Sequence, residues 1–282
     1  MASFKEVLNN AKSLTRKKAK ETSATELLFL NFSDLKPNEL YLKYEEEMPK
    51  ESENKFENAL ELYLENNIPV QQIIGHVYFY GYKFSVKNTA LIPRFETEEL
   101  VANTLIQYDE YFSDKKVDVL DIGTGSGCLA ITLALEEPLM KVTATDISEE
   151  ALLLARENAK NLNAKVEFIQ GDMLKPVLDK KFDILISNPP YIPNSEKVDS
   201  LIYDNEPHIA LFGGEDGLDF YREIISNANK ILKEKAIIAF EHAYDKKEEL
   251  QILAKQYFPN AKTFTLKDMQ NKDRMTFIII GF

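Results

Sequence analysis

Val117-Asp118-Val119-Leu120-Asp121-Ile122-Gly123-Thr124-Gly125-Ser126-Gly127 decides how the rest of this sequence is read. Apolar and β-branched residues dominate the first six positions, three glycines alternate through the last five, and a helical pattern begins at about Ser126. This is a strand, a glycine loop and a helix, and the helix start offers free N–H groups to an acceptor such as a carboxylate or pyrophosphate. Glycine is otherwise scarce. Of ten in 282 residues, six fall in two five-residue windows: Gly123, Gly125 and Gly127, then Gly213, Gly214 and Gly217. Glycine permits positive φ and close approach of a ligand to the main chain, so each window is a candidate binding loop.

Outward from that loop, strands and helices alternate. Further strand-like runs lie at Lys141 to Asp146, Val166 to Gln170, Phe182 to Ser187, Ala236 to Glu241, Thr263 to Leu266 and Met275 to Ile280, with helical patterns starting at Ser148 and Gly217 among them. Such alternation predicts an α/β fold: a Rossmann-like, seven-stranded, mostly parallel sheet with helices on both faces. Ligands in such sheets bind beyond the carboxyl ends of the strands, where the strand order reverses. Residues 1–75 read instead as helices with short breaks. Phe56, Ala59, Leu60, Tyr63 and Leu64 share one helical face, and Asn66-Asn67 before Pro69 ends that pattern. Val77 to Val86, aromatic and β-branched around Gly81, predicts a hairpin. The expected divisions are a small N-terminal helical domain over 1–75, a β-hairpin linker over 76–93 and the sheet domain over 94–282.

Composition removes several classes of function. There are 46 acidic against 34 basic side chains, a formal net charge of −12, which argues against a general polyanion binder and against direct nucleic acid binding. The charge is uneven: six basic residues and one acidic occupy the first 20 positions, whereas nine acids and three lysines lie between Glu39 and Glu65. Two solvated helix faces are the simpler reading, and a surface for docking a partner the sharper one. A single cysteine, Cys128, excludes a disulfide framework and a multi-cysteine zinc site, and three scattered histidines give no expectation of a metal centre. No run approaches the ~18 consecutive apolar residues of a membrane span, and Met1 to Glu6 lacks an apolar signal core. A cytoplasmic protein without a membrane partner is expected, with monomer as the default.

The strand after the glycine loop ends in Asp146, 19 residues beyond Gly127, where a carboxylate can accept both hydroxyls of a ribose. An adenosine-containing cofactor is indicated. Gly125-Ser126-Gly127-Cys128-Leu129-Ala130 also satisfies the dinucleotide pattern G-x-G-x-x-A, so the glycines alone leave an NAD-dependent oxidoreductase open. The whole stretch from Asp121 to Gly127 more closely resembles the loop of class I S-adenosylmethionine-dependent methyltransferases. That resemblance implies that the backbone of Gly123, Thr124, Gly125, Ser126 and Gly127 faces the methionine part of S-adenosylmethionine, that Asp146 holds its ribose, and that Asp172 and Met173 flank its adenine. On the residues alone, Asp172 also reads as a cap for the turn before Pro176, Met173 as core, and Cys128 as a small packed side chain.

Asn188-Pro189-Pro190-Tyr191 follows the strand Phe182 to Ser187. Two prolines stiffen the segment and remove two N–H donors, leaving the Asn188 and Pro189 carbonyls as fixed acceptors. A planar NH₂ group fits this turn, with one N–H directed to the Asn188 side-chain oxygen, the other to the Pro189 carbonyl, and Tyr191 covering the flat face. Its lone pair then aims at a methyl donor held by the glycine loop. Two acceptors favour a pyramidal nitrogen and stabilise the positive charge that grows on it, so orientation and electrostatics supply the catalysis without a strong base. Asn188, Pro189 and Tyr191 are the expected catalytic residues, and Asn188, Pro189, Pro190 and Tyr191 the expected substrate-binding set. Asn188 also adjoins the cofactor.

This tetrapeptide resembles that of methyltransferases acting on exocyclic or amide nitrogen. Leu91-Ile92-Pro93-Arg94-Phe95-Glu96-Thr97-Glu98-Glu99-Leu100-Val101, Ile73-Ile74-Gly75 and Asn205-Glu206-Pro207-His208-Ile209-Ala210-Leu211-Phe212-Gly213-Gly214-Glu215-Asp216-Gly217-Leu218 are similar to segments of the HemK/PrmC family, the release factor glutamine methyltransferases. Phe95 departs from that family, which usually has proline there, and Tyr203-Asp204-Asn205-Glu206-Pro207 is looser than its Tyr-Glu-Pro spacing. The resemblance implies methyl transfer from S-adenosylmethionine to the N5 side-chain nitrogen of the glutamine in the Gly-Gly-Gln motif of class I peptide chain release factors, free or on the ribosome. Residues 192 to 216 show no periodicity over a length at which loops are functional lids or disordered. Pro93 to Glu98 reads either as a strap over the cofactor or as a helix cap built around Thr97. His208 reads as a loop hydrogen-bonding group. The rivals are an N6-adenine methyltransferase of DNA or RNA, opposed by the acidic balance, and a non-catalytic scaffold that binds S-adenosylmethionine, opposed by the intact tetrapeptide.

Overall fold

Ser3 caps the first helix, α1 (Phe4–Lys17), in a reciprocal capping box with Glu6. Four further helices follow: α2 (Thr22–Phe32), the single turn α3 (Pro37–Leu40), α4 (Lys50–Leu64) and α5 (Val70–Ile74). The computed structural model describes residues 2–282, and its contacts separate two units, residues 2–76 with 198–205 and residues 77–197 with 206–282. In the helical unit the face anticipated on α4 is the buried one: Phe56, Ala59, Leu60 and Tyr63 pack with Phe4, Leu8, Leu28 and Phe29, and Leu64 lies against them. Phe29 meets Phe56 edge-on at 5.1 Å.

The two oppositely charged stretches of this unit pair with each other. Lys5 Nζ lies 2.6 Å from Glu45 and Lys18 Nζ 2.8 Å from Glu65, while Lys20 Nζ donates to the Tyr63 carbonyl at 2.5 Å and to Asn67 Oδ1 at 2.7 Å. The two exposed ion pairs each contribute little to stability. The unit also holds residues 198–205, which fall inside the expected division 94–282: Asn67 Nδ2 donates to Ser200 Oγ at 3.2 Å, Asn205 Nδ2 to the Asn67 carbonyl at 2.8 Å, and Gln72 Nε2 to the Asn205 carbonyl at 2.8 Å.

The second unit begins with the hairpin β1 (His76–Phe79) and β2 (Tyr82–Ser85), whose Phe79 and Phe84 are buried in its core and meet edge-on at 5.9 Å. Asn158 ties the hairpin in: its Oδ1 accepts from the Ser85 N–H at 2.8 Å and its Nδ2 donates to the Ser126 carbonyl at 3.0 Å. Then come α6 (Phe95–Phe112), β3 (Val117–Ile122), α7 (Cys128–Glu136), β4 (Met140–Asp146), α8 (Glu149–Leu162), β5 (Val166–Gln170), β6 (Phe182–Ser187), α9 (Ser200–Tyr203), α10 (Asp219–Asn227), β7 (Leu232–Glu241), α11 (Lys247–Tyr257), β8 (Lys262–Lys267) and β9 (Asp273–Ile280). Helix α9 is the turn counted with the helical unit. Helices α7 and α10 start two residues later than their sequence patterns suggest, because Gly127 and Gly217 are left-handed, φ +83° and +78°.

The sheet has seven strands in the order β5-β4-β3-β6-β7-β9-β8, parallel except for β9, which runs against both its neighbours. Every residue of β6 is buried, as a central parallel strand requires. Alternate residues of β7 feed the two cores: Ile237 and Ala239 one, Ala236, Ile238 and Phe240 the other. Between β3 and β6 the strand order reverses, which opens a crevice at their carboxyl ends. Residues 192–216 are less irregular than their composition suggests, with an isolated bridge between Ile192 and Phe212 and a 3₁₀ turn at His208–Ala210. Among the described residues no helix is long and apolar enough to cross a membrane, and no cluster of His, Cys, Asp and Glu could hold a metal ion.

Candidate active site

A cavity of about 340 Å³ occupies this crevice. It is lined by Gly123, Thr124, Gly125 and Ser126 from the loop after β3, Asp146 at the end of β4, Asp172 and Met173 after β5, and Asn188, Pro189 and Pro190 after β6. The parallel sheet thus brings residues up to 67 positions apart to one mouth. Two anticipated site residues do not line it. Gly127 is buried, and a Cβ there would stand 2.8 Å from Ile131 Cδ1 and 3.1 Å from Ala155 Cβ, so this glycine lets α7 pack closely. Tyr191 lies partly buried against the second core, and burial pushes its phenol up to about 12.

Gly123 is exposed, with φ +70° and nothing within 4 Å of where a Cβ would stand. Asp146 links loop and strand: Oδ2 accepts from the Gly125 N–H and Oδ1 from the Ser148 N–H, each at 2.9 Å. Burial raises its pKa, opposed by these backbone donors, so a further donor such as a hydroxyl would meet an incompletely solvated carboxylate. Beneath the loop, Thr124 Oγ1 donates to Asp121 Oδ2 at 2.6 Å, and burial pushes that carboxyl up to about 7. Met173 adopts φ +51°, uncommon for a side chain of this kind, and its carbonyl accepts from Thr145 Oγ1 at 3.4 Å. The Asp172 side chain pairs with Lys175. The Cys128 thiol is pushed up to about 12 by burial, which fits a packed rather than a reactive sulfur.

The second glycine window does not line the cavity. A Cβ on Gly213 would stand 2.4 Å from the Pro190 carbonyl oxygen, and one on Gly217 2.2 Å from that of Tyr191. These glycines let residues 213–217 press against the back of the Asn188–Tyr191 turn, where Ile192 N–H donates to the Leu211 carbonyl and Gly213 N–H to that of Ile192. The strap from Leu91 is fixed from the same side: Glu206 accepts from the Ile92 N–H at 3.0 Å and pairs with Arg94, its side chain 1% exposed. Helix α6 begins at Phe95 with Arg94 as its N-cap, so Thr97 is no cap. Phe95 takes the first helical position, which proline also favours. Thr97 is buried and accepts from Asn188 Nδ2 at 3.2 Å.

Sequence reasoning missed one group here. Glu241 ends β7, is 2% exposed, and has its carboxyl pushed up to about 7 by burial, against the pull of the neighbouring Thr97 and Asn188 side chains. No sequence signal marks it; it stands out only in the register, one residue past Phe240, which pairs with Ser187 immediately before Asn188. His208 stands in the 3₁₀ turn with its ring edge-on to Phe212 at 5.9 Å.

Residues 6–75 match the PrmC N-terminal domain and residues 99–206 the methyltransferase small domain. A crystal structure of a methyltransferase from Pyrococcus furiosus is similar in fold, with a TM-score of 0.52 at 21% identity over 72% of this chain and 90% of that one. Sheet order, glycine loop and switch-point cavity define a class I S-adenosylmethionine-dependent methyltransferase. Two curated proteins called release factor glutamine methyltransferase are similar along nearly the whole chain. That of Bacillus anthracis is 40% identical over 276 residues (96% of this chain, 97% of the relative), and that of Bacillus subtilis strain 168 is 39% identical over 279 residues (97% and 96%). The chain belongs to the family of release factor glutamine methyltransferases.

Proposed function

We propose that this enzyme methylates the side-chain amide nitrogen, N5, of the glutamine in the Gly-Gly-Gln motif of class I peptide chain release factors. The observation that carries this reading is the turn after β6, whose Asn188, Pro189 and Pro190 line the same cavity as the glycine loop and which packs closely on Gly213 and Gly217. S-adenosylmethionine supplies the methyl group as an electrophile when bound. Gly123 to Ser126 and Asp146 would hold its methionine and ribose ends, with Asp172 and Met173 beside its adenine. The cavity suits such a ligand: it is mainly apolar, open above Gly123, and carries a partly buried carboxylate with backbone donors already on both oxygens.

The acceptor amide would donate one N–H to Asn188 Oδ1 and the other to the Pro189 carbonyl. That pairing fixes the nitrogen relative to the methyl donor and stabilises the charge developing on it. We take the helical unit to serve docking of the release factor, and the chain to act as a monomer in the cytoplasm, on free or ribosome-bound factor and without gripping nucleic acid. Labelled S-adenosylmethionine supplied with a purified release factor, its Gln→Ala variant in the Gly-Gly-Gln loop, and duplex DNA tests the reading. Label is expected on the intact factor alone, and label on DNA overturns it. In the same assay Asn188→Ala should retain S-adenosylmethionine binding and lose ~10²–10³-fold in turnover, the cost of removing one preorganised charge-stabilising group. Wild-type turnover in that variant removes Asn188 from the chemistry.

A further inference from the structure

An asparagine amide can sit in its pocket in two ways, oxygen outward or nitrogen outward, and only the first can accept a proton from an NH₂ group. We propose that Glu241 is the positioning residue that makes this choice for Asn188, by holding its NH₂ end together with Thr97 so that Oδ1 faces the cavity.

Three features converge on this. Strands β6 and β7 are parallel neighbours with Ser187 level with Phe240, so their next residues, Asn188 and Glu241, leave the sheet side by side. Alternation along β7 turns Glu241 to the side of Ile237 and Ala239, the core that also contains Leu100 and Val101 of α6. There the Thr97 hydroxyl accepts from Asn188 Nδ2 at 3.2 Å, and the Glu241 carboxyl stands beside both side chains, whose donors favour its ionised form. A flipped Asn188 would point its own oxygen at a carboxylate, setting two acceptors against each other in a buried place.

Keeping a carboxyl here is costly. It is 2% exposed, and Oε2 has no hydrogen-bond partner among the described atoms. An apolar residue would suit the end of a buried strand better, so packing gives no reason for a glutamate. The charged and titratable groups around it are Glu96 on α6, Arg274 on β9, Tyr191 beyond β6, Tyr221 on α10 and the Cys128 thiol on α7. Arg274 alone favours the ionised form. Ionised Glu241 attracts the donor end of the neighbouring Asn188 amide, and its negative charge also favours positive charge growing on the acceptor nitrogen; protonation removes both effects, so the methyl-transfer rate rises with pH through the neutral range.

The inference rests on Asn188 as the group that receives the acceptor amide, and two measurements on the full chain keep the two ideas apart. Side-chain amide NMR signals of Asn188, identified by their loss in Asn188→Asp, should shift with pH around neutrality in the wild type and lose that dependence in Glu241→Gln. Methyl transfer by Glu241→Gln should fall ~10²-fold in kcat, as expected for a misplaced reacting group, with KM for the release factor and S-adenosylmethionine affinity unchanged and the rise with pH gone. Thr97→Val should show the same pattern more weakly, and Glu241→Asp should restore part of the rate. If the Asn188 signals ignore Glu241→Gln, or kcat and its pH profile stay at wild type, Glu241 does not position Asn188. If the wild type leaves the factor unlabelled while the Asn188 signals follow Glu241, the substrate reading falls and this contact stands.

Discussion

The two glycine windows of this chain share a composition and differ in what surrounds them. Gly123 stands over open cavity with nothing within 4 Å of its missing Cβ, whereas Gly213 and Gly217 have the Pro190 and Tyr191 carbonyl oxygens at 2.4 and 2.2 Å. One window makes room for a ligand, the other for the protein itself. The comparison teaches that clustered glycine marks a close approach without saying what approaches. It also divides the cavity into a loop wall, where substitutions should act on S-adenosylmethionine affinity, and a turn wall, where they should act on turnover.

Among substitutions in the two glycine windows, the largest effect should come from Gly217→Ala. Its methyl group must displace the Tyr191 carbonyl and also sit at φ +78°, so the Asn188–Tyr191 turn shifts. Turnover at saturating S-adenosylmethionine should drop ~10²-fold, and the melting temperature should fall, while calorimetry shows cofactor affinity largely kept. Lost affinity with intact turnover would erase the distinction between the walls. Asp146→Ala should do the reverse, weakening S-adenosylmethionine binding by ~1.5–3 kcal/mol for each charge-assisted hydrogen bond lost. Unchanged affinity in a titration would remove the ribose assignment.

Glu241→Gln sharpens the turn wall through stability. A carboxyl whose folded pKa is about 7, raised from 4.5, binds its proton more tightly in the folded state. Its contribution therefore falls as pH rises from about 4.5 to 7 and is flat above. Glutamine abolishes that slope, so at pH 8 the variant should be more stable than wild type by roughly 3 kcal/mol, with no such gap at pH 4.5. Denaturant melts at the two pH values measure it, and an equal difference at both would mean that Glu241 does not titrate in this range. The smallest effect is expected from Gly123→Ala: left-handed φ costs about 1–2 kcal/mol, nothing clashes, and melting temperature should move far less than in Gly217→Ala.

Much of this was legible in the sequence, and the boundary is physical. Period-two and period-3.6 patterns report local chain geometry, so the strands from Val117 to Ile280 and the buried face of α4 were readable, as were the loop and the Asn188–Tyr191 turn that end strands. What the sequence concealed depends on register. Glu241 looks like any polar residue closing a strand until β7 is laid beside β6. Thr97 passes for a helix cap until Asn188 is found against it. Asn67, Gln72 and Asn205 carry no periodic signal, yet their amides hold residues 198–205 in the helical unit.

The placing of β9 between β7 and β8 bears on how the molecule is made. β8 leaves the ribosome before β9 but lies outside it in the sheet, so it has no place to pair until residues 273–280 have followed. Through that interval the edge of β7 from Ala236 to Glu241 is unsatisfied, an apolar ladder of the kind that captures other chains. Met275 is the residue that pairs with Glu241. The nascent chain therefore stays sticky, with Glu241 unpaired in the sheet, until residues 273–280 arrive, and a chain stopped before Asp273 is a candidate for aggregation rather than for weak activity.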